Sequence, residues 1–207
     1  MYLGIDIGTS SVKAVLIDSE QRIVASESEP LSVQRPHPGW SEQDPQSWIE
    51  ATSEVLDRIC QKHSGEMKRV RGIGLSGHMH GATLVDRAER PLRACILWND
   101  GRAAEEAAEL DADPRFRAIT GNIVFPGFTA PKLLWVQRHE PKIFGDIAKV
   151  LLPKDFVRLW LCGNCASDMS DSAGTAWLDV ARRDWSDDLI TATHLHRDQM
   201  PDLVEGT

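Results

Sequence analysis

The chain has 207 residues, 42% of them hydrophobic and 26% charged, enough to bury a substantial core as one large domain or two small ones. Lys and Arg number 23 against 31 Asp and Glu, a formal charge of -8, which leaves no basic footprint for a nucleic-acid backbone. Four scattered cysteines, Cys60, Cys95, Cys162 and Cys165, make no disulfide framework and predict reduced thiols in a cytoplasm, and no apolar stretch approaches bilayer length.

Residues 2–29 read as three short strands, Tyr2 to Ile7, Val12 to Asp18 and Arg22 to Ser28. Connections this short allow only antiparallel hairpins, because a parallel return needs a crossover of about a dozen residues or more. Pro30 to Asp44 is a proline-punctuated loop. Asp44 followed by Pro45 is a helix start, and Trp48, Ile49, Thr52, Val55, Leu56 and Ile59 recur on one helical face, so a helix over 45–62 packs on the sheet.

Val70 to Ser76, Ala82 to Asp86 and Ala94 to Trp98 read as further strands. Arg102 to Leu110 and Pro131 to Arg138 read as helices, Lys149 to Leu152 as a strand, and the segment around Phe156, Leu159 and Trp160 as a helix ending near Gly163. A last helix is expected over Trp185 to Leu195, with Asp184 or Ser186 as its cap. No internal repeat or low-complexity segment interrupts this order.

The first chemical cluster is Asp6-Ile7-Gly8-Thr9-Ser10-Ser11-Val12-Lys13. A glycine turn lets backbone N–H groups approach phosphate oxygens, the hydroxyls add donors and Lys13 adds charge. Asp6 has the chemistry to hold magnesium through water. The same segment also serves as an ordinary hairpin turn.

Gly72, Gly74 and Gly77 have the spacing of a dinucleotide fingerprint, the basis of an alternative reading as an oxidoreductase domain. They lie inside the expected strand rather than between a strand and a helix, which weighs against it. His78-Met79-His80 follows at the strand end, where alternation places the two imidazoles on one side. Two histidines without a third ligand make zinc the weaker reading, and a hydrogen bond to a sugar hydroxyl suits them as well. Trp98-Asn99-Asp100-Gly101-Arg102 combines a flat apolar face with polar groups, which suits a polyhydroxylated ligand or, equally, a strand end that caps the next helix. Cys162-Gly163-Asn164-Cys165 is a lone C-x-x-C whose Gly-Asn centre reads as a turn.

Together these clusters resemble the FGGY family of carbohydrate kinases. The opening Gly4 to Ser10 is similar to the first phosphate motif of the actin, hexokinase and Hsp70 superfamily, and Gly127 to His139 is similar to the first FGGY signature across its span. RPHPGWSEQDP from Arg35, GHMHG around Met79, ILWNDGR, LLPKDF and SDMSDSAGT from Ser167 most resemble the family's xylulokinase branch, and the likeness covers the whole chain.

The resemblance implies an α/β, ribonuclease-H-like domain with a mixed sheet flanked by helices. It implies that Met79 and His80 contact the sugar, D-xylulose in that branch, with Trp98 and Asp100 lining the same site. Asp6 is then important for activity near metal and phosphates, and Gly8, Thr9, Ser10, Ser11 and Lys13 line the phosphate site for ATP and Mg2+. His78 departs from the glutamine that relatives often carry there. Residues 1–207 correspond to the family's N-terminal domain. No residue matches the family's catalytic base, which lies in a C-terminal nucleotide-binding domain, so the chain alone is expected to be inactive. Its cleft face, without that domain, is expected to be apolar and to favour a homodimer. A non-catalytic sugar-binding module remains the alternative from outside the enzymes.

Overall fold

The computed structural model describes residues 1–206. The opening residues form β1 (Tyr2–Ile7), β2 (Ser11–Ile17) and β3 (Ile23–Pro30), paired antiparallel as the connection lengths require. Strand alternation sends Leu3, Ile5, Ile7, Val12, Ala14 and Leu16 to one buried face. Gly4, Asp6 and Lys13 go to the opposite, exposed face.

The expected loop carries the short strand β4 (Glu42–Gln43), and α1 (Pro45–Lys62) then covers the buried face with Trp48, Val55 and Ile59. Asp44 caps α1 by accepting from the Gln46 N–H at 3.0 Å, with Pro45 in the first turn, where its missing donor costs nothing. After α2 (Ser64–Met67), β5 (Ile73–Gly77) joins β1 in parallel, so the sheet runs β3-β2-β1-β5. The register sets Asp6 beside Lys13 on one side and Ser76 on the other.

A second core grows between β5 and the return to the sheet. It contains β6 (Thr83–Val85), β7 (Cys95–Ile96), α3 (Ala104–Ala112), α4 (Pro114–Thr120), α5 (Thr129–His139), α6 (Pro141–Asp146) and β8 (Lys149–Leu151). Leu84, Ile96, Phe116, Phe128, Leu133, Leu134 and Trp177 fill it. α7 (Pro153–Cys162) lays Phe156, Val157 and Leu159 back against the first core and stops at Gly163, whose φ of 70° closes the helix in the left-handed region. The chain then runs through β9 (Ala166–Asp168), α8 (Met169–Ser172), β10 (Leu178–Asp179), β11 (Asp184–Trp185), α9 (Asp187–Ala192) and β12 (Asp202–Val204), the last parallel to β9.

Three expectations change. The strands at 82–86 and 94–98 are shorter than the apolar runs suggest and stay outside the main sheet, pairing with β8 and β4 respectively. Asp86 turns the first of them, since its carboxylate accepts from the Ala88 and Arg90 N–H groups. The final helix shrinks to Asp187–Ala192. Ser186 caps it, while Asp184 is committed to Arg197. The 3-10 turn Ala173–Thr175 that follows α8 was not expected, nor were α4 and α6. No helix among the described residues is long and apolar enough to cross a membrane.

Candidate functional site

The turn between β1 and β2 opens at the exposed face of the sheet. The Gly8 N–H donates to the Ser11 carbonyl at 3.0 Å, and a Cβ on Gly8 would stand 2.9 Å from that same oxygen, so only glycine fits. Gln43 braces the turn from below: its Nε2 donates to the Thr9 carbonyl at 3.0 Å, while its Oε1 accepts from buried Trp48 Nε1 at 2.8 Å. Ser10 offers its carbonyl to the Leu31 N–H at 2.8 Å. Beside the turn, Asp6 Oδ1 accepts from the Ser76 hydroxyl at 2.8 Å, and Lys13 stands exposed with no ion pair among the described residues. The result is a rigid turn with one carboxylate, one free ammonium and several outward hydroxyls.

The strand end at β5 leads into a different environment. The His78 N–H donates to the Ile7 carbonyl at 2.8 Å, which turns the chain off the sheet. The His78 ring is 8% exposed, lies edge-on to Trp48 at 5.5 Å, and finds no partner for either nitrogen. Burial, aided by the Lys132 charge and opposed by Asp6, pushes its pKa down to about 4. Met79 points outward, 43% exposed. His80 sits in the left-handed region at φ 66°, which histidine tolerates better than most residues. Its ring lies 4.8 Å from Phe128, 6.4 Å from Phe125, and against the backbone of Gly174, where a Cβ would come within 2.8 Å of Nε2. Burial and the Lys132 charge also push the His80 pKa down to about 4, so a neutral imidazole faces this site at neutral pH.

Trp98 joins the two regions. Its indole is 41% exposed, and Nε1 donates to Thr9 Oγ1 at 3.1 Å, placing a flat apolar face beside the glycine turn. Gly127 packs against the Trp98 carbonyl, which a Cβ would meet at 2.8 Å. Asp100 is placed otherwise than a ligand contact requires. It is buried, accepts from the Ser41 N–H at 2.5 Å and from the Arg102 N–H at 2.9 Å, and pairs with the Arg102 guanidinium at 2.7 Å. Arg102 stacks 3.6 Å from the Trp40 ring centre and also reaches Glu42, so Asp100 belongs to a buried ion-pair network under the site rather than to its surface.

Below the site, Lys154 gathers Asp155 at 2.6 Å, Asp168 at 2.9 Å and Asp171 at 3.2 Å, tying α7, β9 and α8 together. Burial opposes the Lys154 charge, yet Asp155 and Asp171 hold its pKa above the ordinary lysine value. Burial pushes Asp171 up to about 6. The knot fixes the segment that delivers Gly174 to the His80 ring.

The structure thus brings Asp6, the turn from Gly8 to Lys13, and Trp98 together, and sets Met79 and His80 on the loop that leaves the neighbouring strand. The sequence reading missed Ser76, Phe125, Phe128, Lys132 and Gly174. A signal existed for Lys132, a lysine inside the apolar helix TAPKLLW. Phe125 and Gly174 announce nothing until the chain folds. Gly74 and Gly77 lie within β5 as expected, Gly72 falls just before it, Gly77 packs on Ile7 and Lys154, and the next helix along the chain begins only at Ala104. The dinucleotide reading has no support in that geometry. All four cysteines are free, and Gly163 between Cys162 and Cys165 is a helix-ending turn.

The profile of the FGGY family of carbohydrate kinases, N-terminal domain, matches residues 1–207. The chain is 57% identical over 208 residues to the xylulose kinase of Escherichia coli (strain K12), covering 100% of this chain and 43% of that protein. Among solved structures, a xyloylose kinase from Brucella ovis superposes with a TM-score of 0.97 at 62% identity, covering 99% of this chain and 43% of its own. The xylulose kinase from Rhodospirillum rubrum superposes with a TM-score of 0.94 at 33% identity, over 98% of this chain and 42% of its own. The chain spans less than half the length of these relatives, and it has the actin, hexokinase and Hsp70 type of α/β fold that the sequence led us to expect. It belongs to the FGGY family of carbohydrate kinases, all of it within that family's N-terminal domain.

Proposed function

We propose that this chain is the N-terminal, sugar-binding half of an ATP-dependent xylulose kinase, which converts D-xylulose and ATP to D-xylulose 5-phosphate and ADP. The observation that carries the reading is the Trp98–Thr9 hydrogen bond, because it sets an apolar platform for a sugar against a turn built for phosphate. The high identity to proteins named xylulose kinase supports the choice of sugar.

In this reading Met79 and Trp98 shelter the carbon chain of the sugar, and neutral His80 exchanges a hydrogen bond with a hydroxyl. Gly8 lets the turn close tightly, Thr9, Ser10 and Ser11 present donors to phosphate oxygens, and Lys13 offsets the charge that gathers there in transfer. Among the described residues no three His, Cys, Asp or Glu side chains are arranged to hold a metal ion, so a cage made wholly of protein ligands is not the fit. Asp6, exposed beside Lys13 with Ser76 occupying one carboxylate oxygen, suits a Mg2+ ion held mainly by phosphate oxygens and water. Bound Mg-ATP supplies the transferable phosphoryl group and its charge neutralisation. Since no residue here matches the family's base, removal of the sugar hydroxyl proton falls to a second domain, and this half alone is inactive.

Calorimetric titration of D-xylulose into the chain, with D-ribulose and glycerol as comparators, is expected to give saturable heat that His80→Ala abolishes. No heat from any sugar in a folded sample, or heat indifferent to His80→Ala, overturns a sugar site in this half. Turnover of D-xylulose and Mg-ATP by the chain alone overturns the missing base.

A further inference from the structure

Lys132 is a charged side chain in this neighbourhood that no step above uses, and its setting is unusual. It lies on α5 at 0% exposure, the one charged residue among the buried positions of a helix whose other inward residues, Thr129 apart, are apolar. An amine is not buried at such depth without partners, since an unpaired one costs far more than it contributes. Its partners are two backbone carbonyls: Nζ donates to the His80 carbonyl at 2.8 Å and to the Gly127 carbonyl at 2.8 Å. Thr129 Oγ1, one turn earlier on the same helix, adds a donor to the His80 carbonyl at 3.2 Å.

Those two carbonyls belong to the two loops that make the site. One is the left-handed turn carrying Met79 and His80, and the other is the Phe125–Phe128 turn, whose rings flank the His80 imidazole. A left-handed, non-glycine residue persists only where its surroundings over-determine it. We propose that Lys132 is a positioning residue for the sugar site: its Nζ clamps the His80 and Gly127 carbonyls together, holding His80 in its left-handed turn and its ring against Phe128. Two N–H groups are enough for this, and lysine keeps two whether charged or neutral, so the clamp does not depend on its protonation.

The sugar arm of the test rests on the proposed function, but the spectroscopic arm does not. In the ligand-free chain, labelled at histidine, the ring protons of His80 lie beside two aromatic rings and are expected to be displaced by their ring currents. Lys132→Met keeps the length and apolar stem but removes the donors. It is expected to move the His80 ring signals toward ordinary values while those of His37, His63 and His196 stay, and to weaken D-xylulose binding at least tenfold. Thr129→Val, which removes only the auxiliary donor, is expected to shift the same signals in the same direction by less. Unchanged His80 signals in folded Lys132→Met overturn the proposal, whatever the sugar does. Should Lys132→Met fail to fold, Thr129→Val decides it, and unchanged His80 signals there overturn the proposal equally. Should the wild-type chain bind no sugar, the proposed site fails, while the displacement of the His80 signals still decides the role of Lys132.

Discussion

The glycine turn at Gly8–Lys13 and the histidine turn at His80 leave the ends of the neighbouring strands β1 and β5, yet they are built on opposite plans. The first faces solvent and is held almost wholly by its backbone, through Gly8 to Ser11, Ser10 to Leu31 and Thr9 to Gln43. Its side chains, Lys13 and Ser10 above all, are left uncommitted. The second is fixed from every side: a buried lysine under its carbonyl, phenylalanine rings beside its imidazole, and a glycine backbone at its edge. A mobile, highly charged phosphate suits the first plan, because donors need only be available. A neutral sugar with many similar hydroxyls needs the second, because discrimination requires groups set in advance.

Trp48 is where the comparison breaks most severely, since both turns stand on it. It is fully buried, donates to the Gln43 side chain that braces Thr9, and lies edge-on to His78. Trp48→Ala removes the largest side chain of the sheet core and orphans Gln43 in the same step. We expect a loss of about 3–5 kcal/mol, with both turns loosened together, measurable by denaturant unfolding and by hydrogen exchange at the two loops. Exchange that rises at one turn alone would show that the two are supported separately.

Acid should act on the histidine side first. His78 has an unfolded value of 6.5 and a folded value near 4, so below pH 6.5 the unfolded chain takes up a proton that the folded chain refuses. The stability present above pH 6.5 is therefore lost progressively as pH falls toward 4. From His78 alone the loss is on the order of 3 kcal/mol, because each pH unit between the two values is worth about 1.4 kcal/mol. His80 adds in the same direction, less strongly because it is only partly buried. The check is the difference in unfolding free energy between pH 7 and pH 5 for wild type and His78→Gln. The variant, which has no imidazole to protonate at this position, is expected to lose distinctly less on acidification, and equal losses would remove His78 from the account.

On the glycine side, Gly8→Ala places a Cβ 2.9 Å from the Ser11 carbonyl, a backbone atom that cannot swing away. The hairpin must open, at a cost of about 1–3 kcal/mol in thermal or chemical unfolding. The His80 ring signals should stay where they are. Were they to move, the two turns would be coupled through Trp98.

How much of this was legible differs between the two turns for the same physical reason. A backbone-built turn writes itself locally: Gly8, the hydroxyls and Lys13 are consecutive, and the three strands around them follow from alternation and loop length. Asp44-Pro45 likewise announces α1, and the equivalent Asp113-Pro114 opens α4, where Asp113 accepts from the Arg115 N–H at 3.0 Å. That second signal was present in the sequence and went unread. A side-chain-built turn is assembled from distant segments instead. Lys132, Phe125 and Gly174 reach His80 from separate loops and helices, and no spacing in one sequence brings them together. Asp100 shows the converse, for a carboxylate beside an indole suggests a ligand contact until Arg102 and the Ser41 N–H are seen to occupy it. The main sheet was readable because pairing within it is largely local. Strands β6 and β7 were misjudged because their partners, β8 and β4, lie far along the chain.

The smallest expected effect is the most telling for the exposed turn. Lys13 is solvated, on the open face of β2, and forms no ion pair among the described residues, so Lys13→Ala should change unfolding free energy by no more than about 0.5 kcal/mol. In the proposed function this exposed side chain, beside Asp6 in the sheet register, serves bound phosphate rather than the fold. The same substitution should therefore weaken ATP binding, and weaken it less as salt rises, because screening already removes much of what an exposed charge contributes. Nucleotide titrations at two ionic strengths, set beside the unfolding curve, test both halves. A large loss of stability with unchanged nucleotide affinity would mean that Lys13 serves the hairpin, and that the contrast between a turn waiting for its ligand and a turn already complete does not hold.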